Sequence, residues 1–455
     1  MKEWLKQLTR DRNLQLEVAA IGLILLLGGW IRYWWIVTIP TEQLYDFSTY
    51  YDVAVNVATG KGFTFLDQPI AFQGMLYSFM LGHFFKLMGT TSVISAKSLN
   101  IVLGMGTVIL SYLIMCKLTA RKGLRYAVLL ITSFMPHLVA YTNTLGTETM
   151  MSTLLAGVIY LQLHGGDKRW RLPLIGILTG LCALTKPFYM AYPVVIALGQ
   201  WLSGKQYKTI LRDAGVVLAI MVVMIAPWTV RNYQAYGRFI PVSYNSGFVM
   251  YLNNNANNIH GGWMSLDTIH KTPDLQKKID QHLEYGNKSV KLASDIELDF
   301  KKEAQAWIVN NPWEFGKLGV IRVHSTFFNG AWDVDSWTMN GIRSLDTGHT
   351  EIELSRSLNA FRAWNDIFYG ILTAFGAVFV FLNVPRVLQC LFSFKHTMRE
   401  WITIPLLNLA FPVVVYFVYE GQPRYGVHLI FLFIIVFVLQ SSILLETFRR
   451  GNGIE

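Results

Sequence analysis

Long apolar runs, parted by short segments that hold most of the basic residues, constrain this chain more than any other feature. Runs at about 16–37, 92–116, 125–142, 149–164, 172–185, 187–202, 214–230, 364–383, 401–419 and 426–446 approach or exceed the roughly 18–20 apolar residues needed to cross a bilayer. Hydrophobic residues fill 53% of 455 positions and charged ones only 15%, where a soluble chain carries about a quarter charged residues. Mean hydropathy is +0.35. The expected fold is mainly α: a polytopic membrane bundle of about 10 transmembrane helices. The first run ends in Trp30, Tyr33, Trp34 and Trp35, which read as an interfacial belt and not as the end of a cleaved signal sequence.

The formal charge of +10 invites a nucleic-acid reading, but the placement of the charges excludes it. Lys2, Lys6, Arg10 and Arg12 come first, then Lys117, Arg121, Lys122 and Arg125, then Lys168, Arg169 and Arg171. Lys205, Lys208 and Arg212 follow, then Arg386, Lys395 and Arg399, and finally Arg449 and Arg450. These clusters fall at every second connection, as the positive-inside rule requires, and place both termini in the cytoplasm. Within 172–202, Thr185-Lys186-Pro187 reads as an outer turn between two crossings. Cys116, Cys182 and Cys390 stand in or beside apolar runs without metal-ligand or redox spacing, and read as packing residues.

Three regions follow: an N-terminal transmembrane module (1–230) with a first external loop (38–91), an external loop domain (231–363), and C-terminal helices (364–455). The external domain balances 14 Lys+Arg against 14 Asp+Glu. Gly74–Met88 suits a helix lying along the interface, and Lys277–Trp307 reads as helical.

Candidate chemistry gathers on the outer side. Asp46 follows the first span directly; it either caps a helix starting near Phe47 or serves a site. Asp52, six positions on, lies roughly 240° around such a helix and cannot share its face. Glu148, at the outer end of the fourth span, carries the same two readings. Lys186, Arg231 and Arg424 are cations in outer segments where the topology disfavours them, which suits an anionic ligand such as a phosphate; the alternative is snorkelling to headgroups. Lys86 and Lys97 are weaker examples. The histidines of the large loop, His324 among them, lack spacing for a metal, and Asn287-Lys288-Ser289 is a bare glycosylation pattern.

The ordered set of these segments resembles the C-type glycosyltransferases (GT-C), the membrane superfamily of protein O-mannosyltransferases and aminoarabinose lipid A transferases. The matching residues begin with Asp46, Tyr50, Ala54, Gly60-Lys61-Gly62 and Pro69-Ile70-Ala71, then Thr147-Glu148 and Leu184-Thr185-Lys186-Pro187. They continue with Ala226-Pro227-Trp228, Arg231-Asn232-Tyr233, Gly261-Gly262-Trp263 and Arg424-Tyr425. Ala71 to Ser78 departs from the family pattern, which carries extra prolines there. The resemblance implies transfer of a sugar from a polyprenyl-phosphate donor, undecaprenyl phosphate in a bacterium, with inversion. It implies Asp46 as base with Glu148 assisting, and Lys186, Arg231 and Arg424 on the donor phosphate. Tyr50, Asn232 and Tyr425 are then expected to touch substrate. The acceptor would be a cell-envelope glycan, lipid or protein. No cofactor is required, and a divalent metal is possible but not indicated. A transporter or lipid flippase is the alternative, although no ionisable residue stands at mid-span and no two halves repeat. A non-catalytic assembly protein is a third reading.

Overall fold

A computed structural model describes residues 11–164, 170–282, 290–344, 348–393 and 397–451. Lys2, Lys6, Arg10, Lys168, Arg169, Lys395 and the Asn287-Lys288-Ser289 pattern lie outside the described residues. Helix α1 (Arg12–Thr38) is capped by Asp11, whose carboxylate accepts from the amides of Asn13 and Leu14. Trp30, Tyr33 and Trp34 are exposed along it while Trp35 turns inward. The segment after α1 folds as α2 (Asp46–Ala58), a hairpin of β1 (Thr64–Phe65) and β2 (Gln68–Pro69), and α3 (Leu76–Met88). The strands pair antiparallel, with Thr64 opposite Pro69. Gly82 lets α3 cross α2 at backbone distance: a Cβ there would stand 2.7 Å from the Val57 side chain and 2.8 Å from the Ala54 carbonyl oxygen.

Helix α4 (Val93–Leu118) is followed by α5 (Lys122–Phe134) and α6 (Pro136–Ala140), which runs into a 3-10 turn, Tyr141–Asn143. The single run expected at 125–142 is therefore broken, with a bend of 46°. Pro136 has no N–H to give the Thr132 carbonyl one turn back. Arg32 of α1 supplies the missing donors, with Nη2 3.3 Å from the Thr132 oxygen and Nη1 2.6 Å from that of Ser133. The guanidinium is wholly buried.

Next come α7 (Thr147–Leu163), α8 (Arg171–Thr185) and α9 (Tyr192–Leu202), the last two joined by the 3-10 turn Pro187–Ala191, where the sequence placed a turn. Helix α10 (Tyr207–Tyr236) stops at Gly237, whose φ of 63° suits a glycine. The segment 231–363, which we call the loop domain, holds α11 (Ser246–Asn253), α12 (Pro273–Asp280), α13 (Glu297–Asn310) and α14 (Pro312–Phe327). The one helix expected over 277–307 is two, because Ile279 of α12 and Phe300 of α13 share a core with Met250 and Leu252 of α11. Two helices folded onto one core bury more apolar surface than one running on.

A π-helical turn, Val334–Thr338, leads back to α15 (Gly348–Ser393), α16 (Glu400–Val418), α17 (Pro423–Gly426) and α18 (Ile430–Gly451). Among the described residues six helices are long and apolar enough to cross a bilayer, or seven with the bent pair. The other three expected runs form α7, α8 and α9, of 17, 15 and 11 residues, at or below the usual lower length of about 17 for a crossing.

The loop domain is bolted to the bundle through Arg322 of α14. Its guanidinium is buried and donates to the carbonyls of Phe417 and Val418 at the end of α16 and of Asn253 at the end of α11, at 2.7, 3.2 and 2.5 Å. Burial lowers its pKa to about 10, with Glu420 opposing.

Candidate active site

Six separate stretches of chain meet at one end of the bundle. Tyr45, immediately before α2, has φ 53° and ψ −109°, a conformation an L-residue adopts only under strain. Its carbonyl accepts from the hydroxyls of Ser48 and Thr49, so the start of α2 is held without using the carboxylate of Asp46. That carboxylate makes no capping bond. Its Oδ2 accepts from Arg424 Nη2 at 2.9 Å and its Oδ1 from Lys291 Nζ at 3.3 Å. Lys291 also donates to Thr49 Oγ1 at 2.9 Å. Burial pushes the Asp46 carboxyl up, but the Lys291 and Arg424 charges outweigh it and hold the group well below the usual carboxylate range.

Arg424, in α17, is hemmed by aromatic faces, with its guanidinium carbon 5.5 Å from the Phe47 ring centre, 5.3 Å from Trp337 and 5.2 Å from Tyr425. Trp337 comes from the π-helical turn, fixed to the bundle because Asn143 Nδ2 donates to the Thr338 carbonyl at 3.0 Å. Tyr425 donates its hydroxyl to Glu420 at 2.6 Å and lies under the Lys186 ammonium at 5.3 Å. Burial raises the Glu420 carboxyl, with Arg424 opposing. Burial lowers the Lys186 ammonium, with Glu148 opposing. Among the described residues no hydrogen bond or ion pair holds the Lys186 ammonium.

Glu148 stands in the first turn of α7, is 3% exposed, and its Oε2 meets no donor among the described residues. A buried carboxylate oxygen without a donor is costly. It packs beside Phe47 only because residue 146 is glycine: a Cβ there would lie 2.4 Å from the Phe47 ring and 2.5 Å from that oxygen. Tyr50 closes the wall. Burial raises its hydroxyl, and the charges of Asp46 and Glu148 raise it further. Tyr77, edge-on to Tyr50 at 5.9 Å, bonds Asn100, which in turn donates to the Thr144 carbonyl at 2.6 Å and so steadies the approach to Glu148.

Asp46, Glu148, Lys186, Arg424, Tyr50 and Tyr425 thus come together. Arg231 and Asn232 do not join them. Arg231 Nη2 and Nη1 donate to the carbonyls of Phe63 and Ile70 at 2.7 and 3.0 Å, and its guanidinium sits over Trp228 at 4.9 Å. Asn232 Nδ2 donates to the carbonyls of Ile240 and Val242. Both are spent on fastening the hairpin and the start of the loop domain to α10. Lys291, Glu420 and Trp337 were missed in the sequence. Glu420 lies in the same Glu-Gly-Gln-Pro-Arg-Tyr segment as Arg424, which offered a signal, whereas Lys291 is one of 14 cations in a balanced domain. Among the described residues no three His, Cys, Asp or Glu side chains are grouped to hold a metal ion.

Residues 67–230 match the family model described as dolichyl-phosphate-mannose-protein mannosyltransferase. The whole fold is similar to that of the oligosaccharyltransferase AglB from Archaeoglobus fulgidus, solved with an inhibitory peptide and a dolichol-phosphate. That match has a TM-score of 0.50 and 13% identity, covering 97% of this chain and 52% of that one. The apo form of the Archaeoglobus enzyme gives a TM-score of 0.51 at 12% identity, over 95% and 51%. ArnT from Cupriavidus metallidurans bound to undecaprenyl phosphate gives 0.44 at 12% identity, over 92% and 76%. The chain spans about half the length of the oligosaccharyltransferase it matches. No curated protein sequence matches it. The fold is that of the GT-C membrane glycosyltransferases.

Proposed function

We propose that this GT-C-fold membrane protein transfers a sugar from a polyprenyl-phosphate-linked donor to an acceptor hydroxyl at the outer face of the cytoplasmic membrane. The observation that carries this reading is the Asp46–Arg424–Lys291 cluster, placed beside a donorless Glu148 oxygen and a Lys186 without an ion pair. Such an arrangement offers charge of both signs where one substrate brings a phosphate and the other a hydroxyl.

In the single displacement, the acceptor oxygen bonds to the anomeric carbon from the face opposite the phosphate. The bond from that carbon to the phosphate oxygen breaks, and its electron pair leaves with the polyprenyl phosphate. The hydroxyl proton passes to Asp46. Glu148 holds the acceptor or a sugar hydroxyl, which supplies the donor its Oε2 lacks. Arg424, Lys291 and Lys186 stabilise the charge growing on the leaving phosphate, so the scheme needs no metal. An Asp46 paired with two cations is a weak base. The donor phosphate competes for those cations, and their withdrawal raises the carboxyl towards a useful range. The base is then switched on by the donor. Undecaprenyl phosphate is the expected carrier in a bacterial membrane.

The test is transfer of labelled sugar in reconstituted membranes supplied with polyprenyl-phosphate sugars, comparing wild type with Asp46→Asn. A folded variant at least ~100-fold slower fits a positioned base. Equal rates would remove Asp46 from the chemistry and leave Glu148 as the acid to examine.

A further inference from the structure

The opposite end of the bundle holds a second polar site. Helix α8 runs from Arg171 to the turn that carries Lys186, and α16 from Glu400 towards Glu420, so their first turns lie away from Asp46. There they line a cleft of about 120 Å³, partly open to solvent, together with the end of α9 and the start of α10. Three helices begin at this cleft, and none of their N-caps, Trp170, Gln206 and Arg399, bonds the first amides through its side chain. Uncapped helix starts favour an anion.

The side chains add to this. Arg171, Lys205 and Arg212 line the cleft against Asp213 and Glu400. Each acid already has its cation, with Arg212 on Asp213 at 2.8 Å and Lys205 on Glu400 at 3.1 Å, and Arg171 remains as the excess charge. Gln162 and Gln200 each bury a side-chain oxygen that no donor meets among the described residues. The walls are fixed, because the Met398 amide donates to the Leu202 carbonyl at 2.7 Å and Ser203 bonds Thr403 at 3.1 Å. Ile175, Ile196, Ile404 and Leu407 make the cleft apolar on one side.

We propose that this cleft binds a phosphate flanked by hydroxyls, the chemistry of an anionic polyol lipid headgroup. The phosphate lies against Arg171 and the helix starts, the hydroxyls donate to Gln162 and Gln200, and the lipid chain takes the apolar side. A soluble polyol phosphate has the same polar chemistry.

Native mass spectrometry of the delipidated full-length protein tests this, with phosphatidylglycerol, phosphatidylcholine and glycerol 3-phosphate as probes. Wild type is expected to retain phosphatidylglycerol about tenfold better than phosphatidylcholine, a difference of about 1.4 kcal/mol. The ratio should fall to about one in Arg171→Gln/Gln200→Leu and stay unchanged in Arg121→Gln, which removes an exposed cation from the same end. If the double variant does not fold, Gln162→Leu alone should lower the ratio. Displacement of the lipid by glycerol 3-phosphate supports a site for the phosphate group from either source. Failure to displace, with the selectivity intact, supports the lipid. Equal retention of both lipids by wild type, or equal loss in the Arg121 variant, overturns the proposal.

Discussion

Asp46 gives its carboxylate to two cations far from it in the chain, Arg424 of α17 and Lys291 of the loop domain. Charge-assisted bonds of this kind are worth about 1.5–3 kcal/mol. Lys291→Ala is therefore expected to lower kcat/KM by roughly 10–150-fold in the labelled-sugar assay, with Lys291→Arg recovering part of it. The pH profile carries a sign of its own. A base must be deprotonated, so activity rises with pH through its pKa. In the free protein Asp46 is held low by Lys291 and Arg424, and the proposed mechanism has the donor draw those cations away. The acid limb of kcat should therefore lie at higher pH than that of kcat/KM; coincident limbs would show that the donor does not unmask Asp46. Asp46, Glu148, Lys186 and Arg424 were legible because each breaks a local expectation at the end of an apolar run. Lys291 was not, because one lysine in a domain of balanced charge breaks none. The capping reading of Asp46 failed on geometry that only the fold reveals, since Tyr45 turns the chain and the carboxylate faces away from the helix amides.

At the scale of elements, apolar length located all ten helical runs but not their breaks. Pro136, whose ring and missing N–H kink a helix, was visible; the donor that meets the freed carbonyl, Arg32, 100 residues earlier, was not. Similarly, the charged stretch over 277–307 has helical character throughout, and tertiary burial of Ile279 with Phe300 decides that it folds back. Arg322 joins three elements with one side chain. Arg322→Met would leave the carbonyls of Asn253, Phe417 and Val418 without their donor. Each buried orphan costs about 1–3 kcal/mol, so a fall in melting temperature of the detergent-solubilised protein is expected. Sugar transfer should be lost with it, because Gly421 packs directly on the Arg322 backbone and leads into Arg424. An unchanged melt would mean that the domain is held elsewhere.

At the scale of the whole molecule, the positive clusters predict which face is cytoplasmic. A cysteine introduced at Trp263, which is 51% exposed in the loop domain, should react with a membrane-impermeant maleimide on intact cells. One introduced at Lys205 should react only after lysis. The reverse pattern would invert the proposed orientation and move sugar transfer to the cytoplasmic face. The bond between Arg32 and the broken helix also has a consequence for how the protein is made. Helix α1 enters the membrane before α5, carrying a guanidinium about 9 Å inside its later end. Its partners at Thr132 and Ser133 do not yet exist. At about 5–20 residues per second, synthesis needs roughly 5–20 s to reach them. For that interval the Arg32 guanidinium must find water, headgroups or other acceptors, and whatever shelters it until α5 arrives is part of this protein's biogenesis.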